Sequence, residues 1–324
     1  MARSYRIIIP DDYQEPLVFG SPEHPALDAL NALGGVELHS TAPSSRADFL
    51  RRIESADAVI NLLSRTSYDE EAFRCARNLK VISLMAAGVD NVDRSAARRH
   101  GVTVCNAAGA NSLSVAEFAL GLVFAVFRSI SAYDRWMRDG RWQRVPGREI
   151  AGKTLGLLGV GNVGAHLARL GRGVGMRVIA ASNQADSGRL ADMGIEPVDR
   201  QELFSTADAI SIHLRGTFEN EKAVGAAELS LMKRTAVLIN TARGTVVDQR
   251  ALYDALKDGQ IAGAGLDVFH LDPLPIEENL FRELDNVVLT PHSGFETVEA
   301  GERLRRAAVD NLLAFFRGHP ENVV

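Results

Sequence analysis

Cysteine is scarce in this chain: Cys75 and Cys105 are the only two in 324 residues. No CxxC pair and no Cys/His cluster is present. A structural zinc site of the finger or ribbon type is therefore excluded, no metal is expected, and the two thiols read as small buried residues of a reducing compartment. Long apolar runs are missing too. The longest, Phe118–Phe127, has ten residues, against the roughly twenty needed to span a bilayer. The opening MARSYRIIIPDD has no apolar core of the signal-peptide kind. Blocks of basic charge are absent as well. The 36 Lys+Arg residues are dispersed among 41 Asp+Glu, for a net charge of −5, so neither nucleic acid nor a membrane surface is an expected partner. These absences predict a cytoplasmic protein that handles small molecules.

What is present is an ordinary globular balance, 46% hydrophobic and 24% charged, with length for about two domains. Arg6–Pro10 reads as a buried strand closed by proline. His24–Leu33 has helical spacing and stops at Gly34-Gly35. Val36–His39, Ala58–Leu63, Val81–Leu84 and Thr103–Asn106 read as strands, with helices at Ser45–Ser55 and Asp69–Ala76 between them. A long helix at Leu113–Phe127, running on loosely toward Met137, is apolar nearly all round. It is expected to be buried at a subunit interface, which predicts a homodimer. The polar, turn-rich Asp139–Arg148 carries Trp142, which reads either as a packing residue of a dimer arm or as a residue closing the site from a neighbouring subunit.

A second alternating pattern follows. Strands are predicted at Lys153–Leu158, Arg177–Ala181, Ala209–His213, Ala236–Asn240, Ile261–Val268 and Val287–Thr290. Helices are predicted at Asn162–Val174, Gln201–Ser205, Gly225–Leu231 and Gln249–Asp258, with a long C-terminal helix at Glu296–Phe316. Strands alternating with helices predict parallel sheets covered on both faces. The fold class is therefore α/β, with two doubly wound parallel-sheet domains. Residues 1–105 plus 292–324 form one domain, and 106–291 form a second, inserted domain that includes the dimerisation helix.

The second domain opens on TLGLLGVGNVGAHLARL. A bare GxGxxG is weak, but here Gly159, Gly161 and Gly164 follow a hydrophobic strand and open a helix, as a dinucleotide site requires. Gly159 makes the tight turn, Gly161 admits a pyrophosphate to the helix N-terminus, and Gly164 allows close helix–strand packing. The next strand should end in an acid for the adenosine ribose. Ser182 stands there, followed by Asn183. A carboxylate would repel a 2′-phosphate by about 4 kcal/mol at 4 Å and an effective dielectric of 20. Its absence leaves both NAD and NADP open. Arg215, after a later strand, is a candidate partner for that phosphate or a plain surface arginine.

Three more stretches stand at strand ends: INTARGTVVD, GLDVFHLDP and LTPHSG. In doubly wound sheets ligands bind outside those ends. Arg243, Asp272 and His292 are thus expected to converge. Arginine grips a carboxylate or carbonyl, histidine exchanges a proton near neutrality, and a carboxylate against it stabilises the imidazolium.

With AAGVDNVD (86–93), ANSLSVAEFALGL (110–122), GVGNVG (159–164), NTARG (240–244), GLDVF (265–269) and TPHSG (290–294) in order, the chain resembles the D-isomer-specific 2-hydroxyacid dehydrogenases over nearly its whole length. The resemblance implies a flavodoxin-like substrate domain and an inserted Rossmann domain. It implies NAD(P)-dependent reduction of a 2-oxo acid to a D-2-hydroxy acid, with His292 as general acid and base and Arg243 on the substrate. It places the substrate carboxylate on the backbone of Ala87, Gly88 and Val89, with Ser64 and Arg65 beside the substrate. It sets Asp267 against the nicotinamide carboxamide. Asn162, Val163, Ser182, His213, Arg215, Thr241, Ala242, His292 and Gly294 complete the cofactor side, although His213, like His270, also reads as structural. Asp272 stands where the family usually has glutamate, one methylene longer. Phe295 is placed to narrow the pocket, and a cleft that closes on binding is implied. Relatives on the same scaffold oxidise formate or phosphite, and some are dinucleotide-sensing regulators; both remain alternatives at this point.

Overall fold

The computed structural model describes residues 5–13, 18–62, 66–182 and 187–324. The chain divides into two units, Met1–Asn111 with Thr297–Val324, and Ser112–Glu296.

The first unit runs β1 (Ile7–Ile9), α1 (Asp28–Asn31), β2 (Val36–Leu38), α2 (Arg46–Ile53), β3 (Ala58–Asn61), α3 (Glu70–Cys75), β4 (Val81–Leu84), α4 (Arg94–Arg99) and β5 (Thr103–Cys105). Its strands are parallel in the order β2-β1-β3-β4-β5, the flavodoxin-like arrangement whose switch point lies between β1 and β3. β1, β3 and β4 are buried along their whole length, because helices cover both faces and no side is left for polar residues. Ser45, Asp69 and Asp93 cap α2, α3 and α4 with side-chain oxygens. The helix α4 is absent from the sequence reading, since RSAARR buries only Ala96 and Ala97. The segment read as helix at His24–Leu33 is instead a 3-10 turn, Pro25–Leu27, followed by the one-turn α1. The C-terminal helix, Val298–Phe316, returns to this unit and places Ala308, Val309 and Leu312 in one core with Ile7, Ile9 and Val81.

The second unit begins with α5 (Ser112–Phe127) and α6 (Ile130–Arg138). They are two helices rather than one continuing helix, because Ser129 takes a left-handed conformation at φ 51° and the axes bend by 63°. One side of α5 packs on its own sheet: Ala119, Leu122 and Val123 share a core with Leu155, Val237 and Ile239. Glu117, Gly121 and Phe124 face outward. Among the described residues, no single helix is long and apolar enough to cross a membrane.

β6 (Thr154–Leu158), α7 (Asn162–Gly173), β7 (Arg177–Ala181), α8 (Ser187–Asp192), β8 (Glu196–Pro197), α9 (Arg200–Thr206) and β9 (Ala209–Ile212) follow. α10 (Ala226–Leu231), β10 (Val237–Asn240), α11 (Gln249–Lys257), β11 (Gly263–Leu266) and β12 (Val287–Leu289) complete the unit. The parallel order is β12-β11-β10-β9-β6-β7-β8. Counted within the unit this is the Rossmann order extended by one strand, with its switch point between β6 and β9.

The boundaries differ slightly from those read in the sequence. Residues 106–111 belong to the first unit, since Asn106 N–H donates to Asn322 O and Ala107 N–H to Ala86 O. Residues 292–296 belong to the second, since Ser293 and Gly294 donate to Asp267.

Candidate functional site

The glycine loop sits at the switch point of the second sheet. Gly159 follows β6 with φ +90°, and a Cβ there would lie 3.0 Å from the His213 carbonyl oxygen. Gly164 would place a Cβ 3.1 Å from Gly159 O. The left-handed backbone favours glycine at 159, and at both positions a Cβ would crowd a backbone carbonyl. Gly161 is different: a Cβ on it would meet nothing within 4 Å. It is the N-cap of α7, and no side chain caps that helix end. The first-turn N–H groups of Asn162, Val163 and Gly164 are therefore left for an anion, which a dinucleotide's pyrophosphate supplies. Two buried polar atoms, His213 Nε2 beside this loop and Thr241 Oγ1 just after β10, have no hydrogen-bond partner among the described residues. Burial pushes the His213 imidazole down to about 4, so it is neutral at physiological pH. These orphaned atoms and the uncapped helix fit a bound dinucleotide.

The catalytic candidates stand on neighbouring segments for a topological reason. β10, β11 and β12 are neighbours, with Asn240 opposite Leu266 and Leu266 opposite Leu289. The segments after them, 241–244, 267–272 and 290–294, therefore emerge side by side. Asn240 braces the first: its Oδ1 accepts from Ala242 N–H at 3.0 Å and its Nδ2 donates to Arg243 O at 3.0 Å. Arg243 lies against Gly216, where a Cβ would come within 2.8 Å of its Cγ. Gly244 lies so close to the backbone of Phe269 that a Cβ would fall 2.0 Å from its carbonyl. Only glycine lets the arginine segment approach the acidic one.

His292 adopts φ +58°, a left-handed conformation rare for a residue with a side chain. The Asp267 carboxylate holds it there. Oδ1 accepts from Thr290 Oγ1 at 2.6 Å and from Ser293 N–H at 2.9 Å, and Oδ2 accepts from Gly294 N–H at 2.9 Å. Asp267 is 1% exposed, and these three donors satisfy it. The histidine's Nδ1 lies 2.5 Å from Asp272 Oδ2. Their side chains are 37% and 51% exposed, so the pair is reachable from solvent. With Nδ1 on the carboxylate, Nε2 is the nitrogen turned to a reactant. The Phe295 ring stands edge-on to the imidazole at 5.9 Å. His270 lies outside this group, 3.7 Å from Glu278.

The other predicted residues are distributed as follows. Ser182 follows β7, half-buried, and Arg215 is exposed after β9. Ala242 lies in the arginine segment and Gly294 under Asp267. Ala87, Gly88 and Val89 belong to the first unit, after β4, where Asn106 Nδ2 donates to Ala87 O at 2.7 Å. Ser64 and Arg65 lie outside the described residues. Sequence reasoning missed Asn240, Thr290 and Ser293 as supporting groups. Their only signal was membership in NTARG and TPHSG.

A Rossmann unit with an open glycine loop and an Arg/Asp/His group at its strand ends is a nicotinamide-dependent dehydrogenase. The sequence model described as D-isomer specific 2-hydroxyacid dehydrogenase, NAD binding domain, matches residues 120–294. A glyoxylate reductase of Korarchaeum cryptofilum is 38% identical over 290 residues, 87% of each chain. A glyoxylate reductase of Thermococcus litoralis is 40% identical over 289 residues, 86% of each chain. Among solved structures, an acyclic imino acid reductase in complex with NADPH and D-Arg aligns with TM-score 0.87 and 30% identity, covering 98% of this chain and 99% of that one. The chain belongs to the D-isomer-specific 2-hydroxyacid dehydrogenase family. It is an NAD(P)-dependent oxidoreductase that reduces a 2-oxo acid to the 2-hydroxy acid.

Proposed function

We propose that the enzyme reduces a small 2-oxo acid of the glyoxylate kind, with His292 as the proton donor. The observation that carries this reading is the His292–Asp272 contact, on segments that follow strands neighbouring the one before Arg243. The bound nicotinamide cofactor supplies the hydride. Arg243 binds the acid and draws electron density toward the carbonyl oxygen. His292 delivers its Nε2 proton to that oxygen, and Asp272 stabilises the imidazolium beforehand and fixes the ring. In oxidation His292 takes the proton back. Backbone amides of Ala87–Val89 are assigned to the substrate carboxylate. Glyoxylate is favoured among substrates because relatives bearing that name match this chain over most of both lengths. Nicotinamide absorbance followed with glyoxylate, hydroxypyruvate, pyruvate and a phosphorylated 2-oxo acid tests it. Turnover restricted to the phosphorylated acid would overturn the glyoxylate reading.

For the cofactor, we assign activity with both NADH and NADPH, because Ser182 presents no carboxylate to the ribose. Arg215 is assigned to the 2′-phosphate. Arg215→Ala is expected to raise the NADPH Kd by about tenfold, one lost charge contact, and to leave the NADH Kd within about twofold. Equal effects on the two cofactors would remove Arg215 from that role. A homodimer formed over the outer side of α5 and α6 is supported by exposed Ile130, Met137 and Trp142. A cytoplasmic location is supported by two cysteines that are both free.

A further inference from the structure

The first sheet has its own switch point, between β1 and β3, and a buried acid lies there. Asp11 follows β1 and is 0% exposed. Its Oδ2 accepts from Asn61 Nδ2 at 2.9 Å and from Thr66 Oγ1 at 3.0 Å, and its Oδ1 from Leu62 N–H at 3.4 Å. Asn61 passes the connection on, since its Oδ1 accepts from Asn91 Nδ2 at 3.0 Å. Asn91 Nδ2 also donates to Thr66 O at 2.9 Å, and Asn91 O accepts from Tyr68 N–H at 2.8 Å. One carboxylate thus ties the segments that follow β1, β3 and β4. Asp12, its neighbour, is turned away onto the N–H groups of Val18, Phe19 and Gly20. None of this network was assigned a role by the catalytic reading.

We propose that Asp11 is a positioning residue for substrate: through Asn61 and Asn91 it sets the 87–91 segment that receives the 2-oxo acid's carboxylate. The inference rests on the assignment of Ala87–Val89 to that carboxylate. All three groups that meet Asp11 are donors, so the ionised, acceptor-only form satisfies them all. A proton on Oδ1 would face the Leu62 N–H. Burial holds the Asp11 carboxyl up at about 7, with Asp12 raising it and Thr66, Leu62 and Arg52 lowering it; Tyr68 is the other ionisable neighbour. The network therefore changes state within the working pH range. It is complete above about pH 7 and loses an acceptor below it.

The test is steady-state kinetics of the full-length enzyme with glyoxylate across pH, on Asp11→Asn, Thr66→Val and Ala87→Asp. For the parent enzyme, glyoxylate KM is expected to rise as pH falls through about 7. Asp11→Asn carries an amide donor at every pH. Its KM is expected to stay about tenfold high and independent of pH, equivalent to one lost hydrogen bond. Its kcat at saturation is expected within about threefold of the parent, and its dinucleotide Kd unchanged, because position rather than chemistry is lost. Thr66→Val removes a bond that lowers the Asp11 pKa, so the KM inflection moves to higher pH; this milder variant decides the matter if Asp11→Asn does not fold. Ala87→Asp places a like charge at the exposed first residue of the receiving segment and tests the underlying assignment. A raised KM in Ala87→Asp with parent-like KM profiles in Asp11→Asn and Thr66→Val overturns the role of Asp11 and leaves the assignment standing. A parent-like KM in all three variants overturns both.

Discussion

His292→Asn is expected to lower kcat for 2-oxo acid reduction by about a thousandfold, the middle of the range for loss of a general acid. The dinucleotide Kd is expected to stay within a few fold of the parent. The geometry dictates the size of the effect. The imidazole is pinned by Nδ1 to Asp272 at 2.5 Å and by the backbone at φ +58°, so Nε2 arrives with its direction already set. Asparagine retains a left-handed backbone readily but carries no group that exchanges a proton near neutrality. Asp272→Asn is expected to cost less, about 10- to 100-fold, because the amide keeps a hydrogen bond and loses only the charge opposite the imidazolium. Single-turnover nicotinamide absorbance separates these losses from product release. A His292→Asn enzyme within about tenfold of the parent would remove the histidine from the chemistry.

The Asp272 contact also bears on what the sequence told. An aspartate in place of the usual glutamate left a missing methylene to be explained. In the structure the shorter side chain still reaches the histidine, with Asp272 Oδ2 2.5 Å from His292 Nδ1. Strand periodicity and the ordered motifs made both sheets legible, since buried parallel strands are continuous apolar runs, and pointed to the segments at their carboxyl ends, where ligands gather. What stayed hidden has one physical character. The supporting roles of Asn240, Thr290 and Asp11 depend on hydrogen bonds between residues that lie close only after strand order is known. The helix α4 hid behind its arginines because its buried face is two alanines wide. The break between α5 and α6 turned on one left-handed Ser129, for which an apolar pattern carries no signal. Asp267 was read toward the nicotinamide, yet three protein donors already converge on it.

Those three donors set the second large effect. In Asp267→Asn one amide can place its oxygen toward Thr290 and Ser293 or toward Gly294, never both. The NH2 group then faces a buried N–H, and one or two hydrogen bonds to a charged acceptor are lost. At about 1.5–3 kcal/mol each, this matches or exceeds the roughly 1–2 kcal/mol that a left-handed residue such as His292 must be supplied with to stay there. The segment 290–294 is therefore expected to relax toward ordinary backbone angles, and the imidazole to leave Asp272. Amide exchange at Ser293 and Gly294 is expected to accelerate about a hundredfold, the equivalent of about 3 kcal/mol, with kcat falling nearly as far as in His292→Asn. Hydrogen exchange by mass spectrometry over 288–298 reads this directly, without reference to turnover. If exchange there stays at the parent rate while the dinucleotide Kd rises sharply, Asp267 acts on the cofactor and the histidine segment stands without it. If exchange accelerates and cofactor affinity holds, the buried acid is what keeps the proton donor in place.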